Sequence, residues 1–131
     1  MIPMARILLT DDEEAVRGFV RRALEMDGHD VTPAFDGADA LDKLVEADGG
    51  FDLLLTDIRM PMMDGIALAL AAARDYPSLT ILLMTGYADQ RERAAGLDAL
   101  IHDVVTKPFS LDQIRAAVAD ALGAGAARMT A

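Results

Sequence analysis

Four apolar runs in this chain each end in a short polar piece, and this repeated junction constrains the fold more than any other feature. Ile7-Leu8-Leu9 leads into Asp11-Asp12, Leu53-Leu54-Leu55 into Asp57, Ile81-Leu82-Leu83-Met84 into Thr85, and Val104-Val105 into Lys107-Pro108. A further strand-like run covers His29 to Phe35. These runs alternate with helix-like ones, the pattern of βαβ units built on a parallel sheet. In such a sheet the strand ends share one edge, which is where open α/β folds place their ligands. Three carboxylates, a hydroxyl and an ammonium are therefore expected to converge.

The helices follow from apolar spacing. Ala15, Val16, Phe19, Val20, Ala23 and Leu24 form a helical stripe that Gly28 brings to a stop. Asp36-Gly37 opens a second helix through Ala40, Leu41, Leu44 and Val45, ending at Asp48-Gly49-Gly50. A third begins after Asp64-Gly65 and runs to Tyr76-Pro77. The fourth, Ala88 to Leu100, offers mostly alanine as apolar surface and is interrupted by Gly96, so it is the segment expected to move. The last carries Leu111, Ile114, Val118 and Leu122, with Ser110 as its N-cap. Residues 1–4 read as an N-terminal extension, 5–122 as the domain, and 123–131 as a flexible tail without periodicity.

Composition agrees with this frame. At 131 residues there is room for one domain with its own core, and with 53% hydrophobic but 5% aromatic residues that core must be aliphatic. A formal net charge of -10 argues against nucleic acid or an anionic membrane as partner. The absence of cysteine removes disulfide and thiol chemistry and fits a reducing compartment. Met1 to Met4 is too short for a signal peptide, and no apolar run reaches the length of a transmembrane helix, so a cytoplasmic protein is expected.

Charge decides what the site can hold. Carboxylates about 5 Å apart repel by roughly 3 kcal/mol per pair at an effective dielectric near 20, a cost that a divalent cation removes. All-oxygen ligation suits Mg²⁺, with Mn²⁺ possible, and the lack of Cys and nearby His argues against zinc. A carboxylate such as Asp57 can attack phosphorus to give an aspartyl phosphate. Lys107 and Thr85 supply a compact positive charge and a hydroxyl suited to phosphoryl oxygens. Singly, each residue has an ordinary explanation: Asp11-Asp12 as helix capping, Lys107-Pro108 as a turn, Asp64-Gly65 as punctuation. Their joint placement on successive strand ends favours the functional reading.

Thr10-Asp11-Asp12-Glu13, Leu55 to Pro61 with Met63-Asp64-Gly65, Leu83-Met84-Thr85-Gly86 and Val105-Thr106-Lys107-Pro108-Phe109 together resemble the receiver domain of two-component response regulators. The resemblance implies a flavodoxin-like (βα)5 doubly wound fold with strand order 2-1-3-4-5. It also implies Asp57 as phosphoacceptor, Asp12 as a direct and Asp11 as a water-mediated Mg²⁺ ligand, and the backbone carbonyl of Arg59 as a further ligand. Thr85 and Lys107 would hold the phosphoryl group, and the Lys107-Pro108 bond would be cis. A histidine kinase or histidine phosphotransferase would donate the phosphate to a switch that is not otherwise an enzyme.

A narrower resemblance covers Thr56 to Arg115, which is similar to the CpdR family of single-domain cell-cycle receivers of alphaproteobacteria. It implies a phosphorylation-controlled adaptor of the ClpXP protease, active when unphosphorylated. One departure stands out. Many receivers carry an aromatic switch residue three positions before the lysine, and Val104 occupies that place here, with Tyr87 as a substitute for the missing ring. Coupling through a weakly anchored fourth helix needs no ring.

His29 and His102 have no acidic or metal-binding partner at convincing sequence spacing. The alternatives are a chemotaxis-type receiver or phosphorelay intermediate, an aspartyl-phosphate phosphotransfer enzyme, and a flavin-binding protein of the same fold. A haloacid-dehalogenase-type phosphatase wants an aspartate where Arg59 stands, and no loop is rich enough in Ser, Thr and Gly to cradle a flavin phosphate.

Overall fold

The computed structural model describes residues 5–86 and 88–130, with the side chains of 5–86 and 91–124. The expected extension at residues 1–4 and the substitute switch residue Tyr87 lie outside the described residues. Strands β1 (Arg6–Thr10), β2 (Asp30–Ala34), β3 (Leu53–Asp57), β4 (Thr80–Thr85) and β5 (Asp103–Thr106) alternate with helices α1 (Glu14–Glu25), α2 (Gly37–Glu46), α3 (Gly65–Asp75), α4 (Ala88–Ala95) and α5 (Leu111–Thr130). The sheet is parallel throughout, in the order β2-β1-β3-β4-β5, as expected.

Alternation along the strands builds two cores. Leu8, Leu54, Ile81 and Leu83 face one side and pack with Ala40, Leu44, Leu68 and Ala72 of α2 and α3. Ile7, Leu9, Leu53, Leu55, Leu82 and Met84 face the other and pack with Val20 and Leu24 of α1 and Ile114 and Val118 of α5. Every residue of the central strand β3 is buried, which is why its sequence is a continuous apolar run rather than an alternating one.

Local chemistry sets the helix starts. The side chain of Asp36 accepts the Asp39 N–H at 2.8 Å, and that of Asp64 accepts the Ala67 N–H at 2.8 Å. Ser110 and Gln113 form a reciprocal capping box: the Gln113 N–H donates to Ser110 Oγ and the Ser110 N–H to Gln113 Oε1. Gly28 sits at φ 83 just past α1, a conformation that favours glycine.

Two helix ends differ from the sequence reading. α4 stops at Ala95 rather than Leu100, because Gly96 breaks it and the chain continues in turns. α5 does not end at Leu122 but stays helical to Thr130. Ala124, Ala126 and Ala127 are the best helix formers, and a helix already nucleated and packed upstream carries Gly123 and Gly125 at about 1 kcal/mol each.

Candidate functional site

The parallel sheet delivers the expected residues to one edge. Asp11 follows β1, Asp57 closes β3, Thr85 closes β4, and Lys107 follows β5. One carboxylate oxygen from each of Asp11, Asp12 and Asp57 lies within 4.8 Å of the others. Lys107 Nζ is 3.0 Å from Asp11 Oδ2 and 3.2 Å from Asp57 Oδ1. Asp11 and Asp57 are buried, whereas Asp12 is exposed. Asp11 is further held by the Glu13 N–H, which donates to its Oδ1 at 2.9 Å, while the Arg17 guanidinium donates to its backbone carbonyl at 2.6 Å.

An open cavity of about 700 Å³ gives access to this cluster. Asp12, Asp57, Arg59, Lys107 and Gly86 line its polar end, and Phe19 and Phe109, whose rings tilt together 6.4 Å apart, line the other. The Lys107–Pro108 peptide is cis. On the wall behind Asp57, the Gly65 N–H donates to the Ile58 carbonyl at 2.7 Å, so the start of α3 lies directly against the end of β3.

Burial pushes the Asp57 carboxyl up to about 6; the Lys107 charge opposes this, and the charges of Asp11 and Asp12 add to it. Burial also works to lower the Lys107 ammonium, but the hydrogen bond and charge of Asp11, joined by Asp57, outweigh it and hold it above the usual lysine range. Both values rise, but the rise disfavours the charged form of Asp57 and favours the charged form of Lys107, for a physical reason. Lys107 is shared by two carboxylates, whereas Asp57 has one cation against its own burial and two like charges.

The cluster fits a hard divalent cation. Its donors are all carboxylate oxygens with no imidazole or thiol among them, and three carboxylates share the site with one lysine.

Val104 is half-buried and packs against the α2/α3-side core rather than lining the site cavity. Its carbonyl accepts a long contact from Arg91 at 3.4 Å. His29 is a structural residue: it is buried, and its Nδ1 accepts the Ala5 N–H at 3.3 Å. The reading of His102 requires correction, because its Nε2 lies 2.7 Å from Asp120 Oδ2, across the β5/α5 boundary. Eighteen residues separate the pair, and no local spacing rule connects a residue before a strand to one deep in the next helix. Sequence reasoning also missed two arginines of α4. Arg91 donates to Thr106 Oγ1 at 2.6 Å, and Arg93 donates to Asp64 Oδ2 at 2.7 Å. Among the described residues, no helix is long and apolar enough to cross a membrane.

Comparison with known proteins agrees with the geometry. The family model of the response regulator receiver domain matches residues 7–119. Response regulator MprA of Mycobacterium avium is 40% identical over 111 residues, covering 85% of this chain and 48% of that protein. The chain thus spans about half the length of the curated relatives it matches. Among solved structures, the chemotaxis response regulator CheY4 of Vibrio cholerae superimposes with a TM-score of 0.81 at 27% identity, covering 91% of this chain and 99% of that one. Response regulator TrrA of Thermotoga maritima, solved in complex with Mg²⁺-BeF, superimposes with a TM-score of 0.80 at 29% identity, covering 90% and 99%. Receiver domains bind Mg²⁺ at an acidic pocket of the kind formed here by Asp11, Asp12 and Asp57. The chain belongs to the response regulator receiver family: it is the receiver domain of a two-component response regulator, a domain phosphorylated on aspartate.

Proposed function

We propose that Asp57 is the phosphoacceptor, and that the protein is a switch whose own chemistry is limited to gaining and losing that phosphoryl group. The observation carrying this reading is that Asp57 alone combines burial, a position at the cavity floor, and contact with Lys107 beside the two other carboxylates. In the transfer step an Asp57 carboxylate oxygen forms a bond to phosphorus as the P–N bond of a phosphohistidine donor breaks. The electron pair of that bond stays on the departing imidazole nitrogen, which takes up a proton. Lys107 is close enough to both buried carboxylates to move its hydrogen bonds onto the phosphoryl oxygens, and Thr85, buried on the neighbouring strand end, offers them a hydroxyl. Asp11, Asp12 and Asp57, with the backbone carbonyl of Arg59, would hold Mg²⁺ or Mn²⁺, which supplies neutralisation of the phosphoryl charge.

The donor in this reading is a histidine kinase or histidine phosphotransferase, and output passes through protein binding. On the sequence resemblance of Thr56 to Arg115 to the CpdR family, we extend this reading to the finer role of an adaptor of the ClpXP protease, bound in the unphosphorylated state. Acetyl phosphate with Mg²⁺ tests the chemistry: mass mapping should place a single phosphoryl group on Asp57, and both excess chelator and Asp57→Ala should abolish it. Phosphate mapped to Asp11 or Asp12, or modification undiminished in chelator, would overturn the assignment. For the adaptor role, Asp57→Ala should retain binding to the unfoldase and beryllofluoride should weaken it; strengthened binding would refute that role alone.

A further inference from the structure

Among its described side chains, the fourth helix meets the body of the protein mainly through two arginines. Among its described side chains only Ala94 is buried, and Arg91, Glu92 and Arg93 are exposed. Burial of one methyl group contributes little to seating a helix. Its two arginines, however, reach two different elements, the start of α3 and strand β5. Arg93 Nη2 is 2.7 Å from Asp64 Oδ2, on the residue whose other carboxylate oxygen caps α3. The adjoining Gly65 is so close to the backbone of Asp57 that an added Cβ would lie 2.8 Å from the Asp57 carbonyl carbon. Arg91 Nη1 donates to Thr106 Oγ1 at 2.6 Å and approaches the Val104 carbonyl at 3.4 Å. Thr106 is bonded in sequence to Lys107, whose ammonium holds Asp11 and Asp57.

We propose that Arg91 and Arg93 form a two-ended clasp that seats α4 across the β3/α3 junction and strand β5, and that the Arg91 end is the one released when Lys107 re-aims toward a phosphoryl group. The first half stands on the contacts alone; the second rests on Asp57 being the phosphoacceptor. The clasp places the response in α4 without an aromatic residue at Val104, because displacement of the β5 end acts directly on the acceptor oxygen of Arg91. The Arg93 end stays seated, since its partner Asp64 is fixed by the Ala67 N–H, so α4 would pivot rather than detach.

Amide hydrogen exchange across residues 88–95 tests this in the full chain. Without ligand, Arg91→Gln and Thr106→Val should each speed exchange there about threefold to fivefold, the range for losing one exposed charge-assisted hydrogen bond. The double variant should not exceed Arg91→Gln alone, because both remove the same contact. Arg93→Gln should multiply with Arg91→Gln, since it opens the other end. With beryllofluoride and Mg²⁺, exchange in α4 should rise in the wild-type protein and not rise further in Arg91→Gln. Unchanged exchange in Arg91→Gln, or multiplying effects of Arg91→Gln and Thr106→Val, would overturn the clasp. An equal response of wild type and Arg91→Gln to beryllofluoride would overturn the coupling. If beryllofluoride left residues 104–109 of the wild-type protein unchanged, the phosphoacceptor reading and the coupling with it would fail, while the ligand-free comparison would still decide the clasp.

Discussion

Replacing Asp57 with asparagine should make the metal-free protein more stable, not less. The carboxyl of Asp57 is raised from 3.8 to about 6 because burial and its two acidic neighbours outweigh Lys107. A folded-state value above the unfolded one means that the native protein binds this proton more tightly. Stability is therefore lost as pH rises between the two values, and the full cost is present above about pH 6. The difference between 3.8 and about 6 corresponds to about 3 kcal/mol, at about 1.4 kcal/mol for each tenfold change in proton affinity. The substituted amide would leave Lys107 with Asp11, 3.0 Å away, so the lost contact offsets about 1 kcal/mol and leaves a net gain of about 2 kcal/mol. With a urea slope of about 2 kcal/mol/M, the midpoint should rise by about 1 M at pH 7 in chelator. The gain should shrink steadily toward pH 4, where Asp57 is protonated in the native state. Added Mg²⁺ at pH 7 should also narrow the gap, by stabilising the wild type in proportion to site occupancy. Urea unfolding followed by circular dichroism at pH 7, 5.5 and 4 reads all three effects. A variant less stable than wild type at pH 7 in chelator, or a difference that does not change with pH, would refute the account of Asp57 as a carboxylate whose burial costs stability when it is charged.

Gly65→Ala should destabilise by about 2 kcal/mol, because a Cβ there would lie 2.8 Å from the Asp57 carbonyl carbon and 2.9 Å from Ile58 Cα, both backbone atoms of the central strand and its exit; this overpacking exceeds the roughly 1 kcal/mol gained in helix propensity. Thermal unfolding beside Gly18→Ala gives the control, since the nearest atom there is the flexible end of Arg22 at 3.4 Å and that substitution should stabilise by about 0.5–1 kcal/mol. Thr10→Val should stabilise by about 1 kcal/mol, because Thr10 Oγ1 is buried without a hydrogen-bond partner among the described residues; a loss of stability in chemical denaturation would refute this. Arg115→Ala should lower stability at pH 7 by releasing Asp27, whose carboxyl the Arg115 hydrogen bond holds below its usual value against the opposing effect of burial. That depressed carboxylate stabilises the fold above about pH 4 and loses its effect as pH falls through the folded-state value, so the deficit should disappear in acid.

The sequence by itself determined the layered frame and the identity of the chemical groups. Hydrophobic periodicity is a local property, so Ile7-Leu8-Leu9 and Leu53-Leu54-Leu55 declare strands, and Val20, Ala23 and Leu24 declare the face of α1, without reference to anything distant. Capping is equally local, and Asp36, Asp64 and Ser110 all cap the helices they precede. Because every strand in the pattern is parallel, placing Asp11, Asp57, Thr85 and Lys107 at or just after strand ends was enough to bring them to one edge. The helix ends at Ala95 and Thr130 were not legible, because one glycine ends a poorly packed helix while two others are carried by a well-packed one, and packing is not local.

Which side chains meet across the fold was decided only by tertiary structure. His102 with Asp120, Arg93 with Asp64, and Arg115 with Asp27 span 18, 29 and 88 residues, and each depends on strand order and helix orientation. The stranded hydroxyl of Thr10 and the raised carboxyl of Asp57 belong to the same class. Burial and long-range electrostatics are properties of the assembled layers, so a residue's type fixes its chemistry while its neighbours in space fix its charge, its partners and the energy of holding it there.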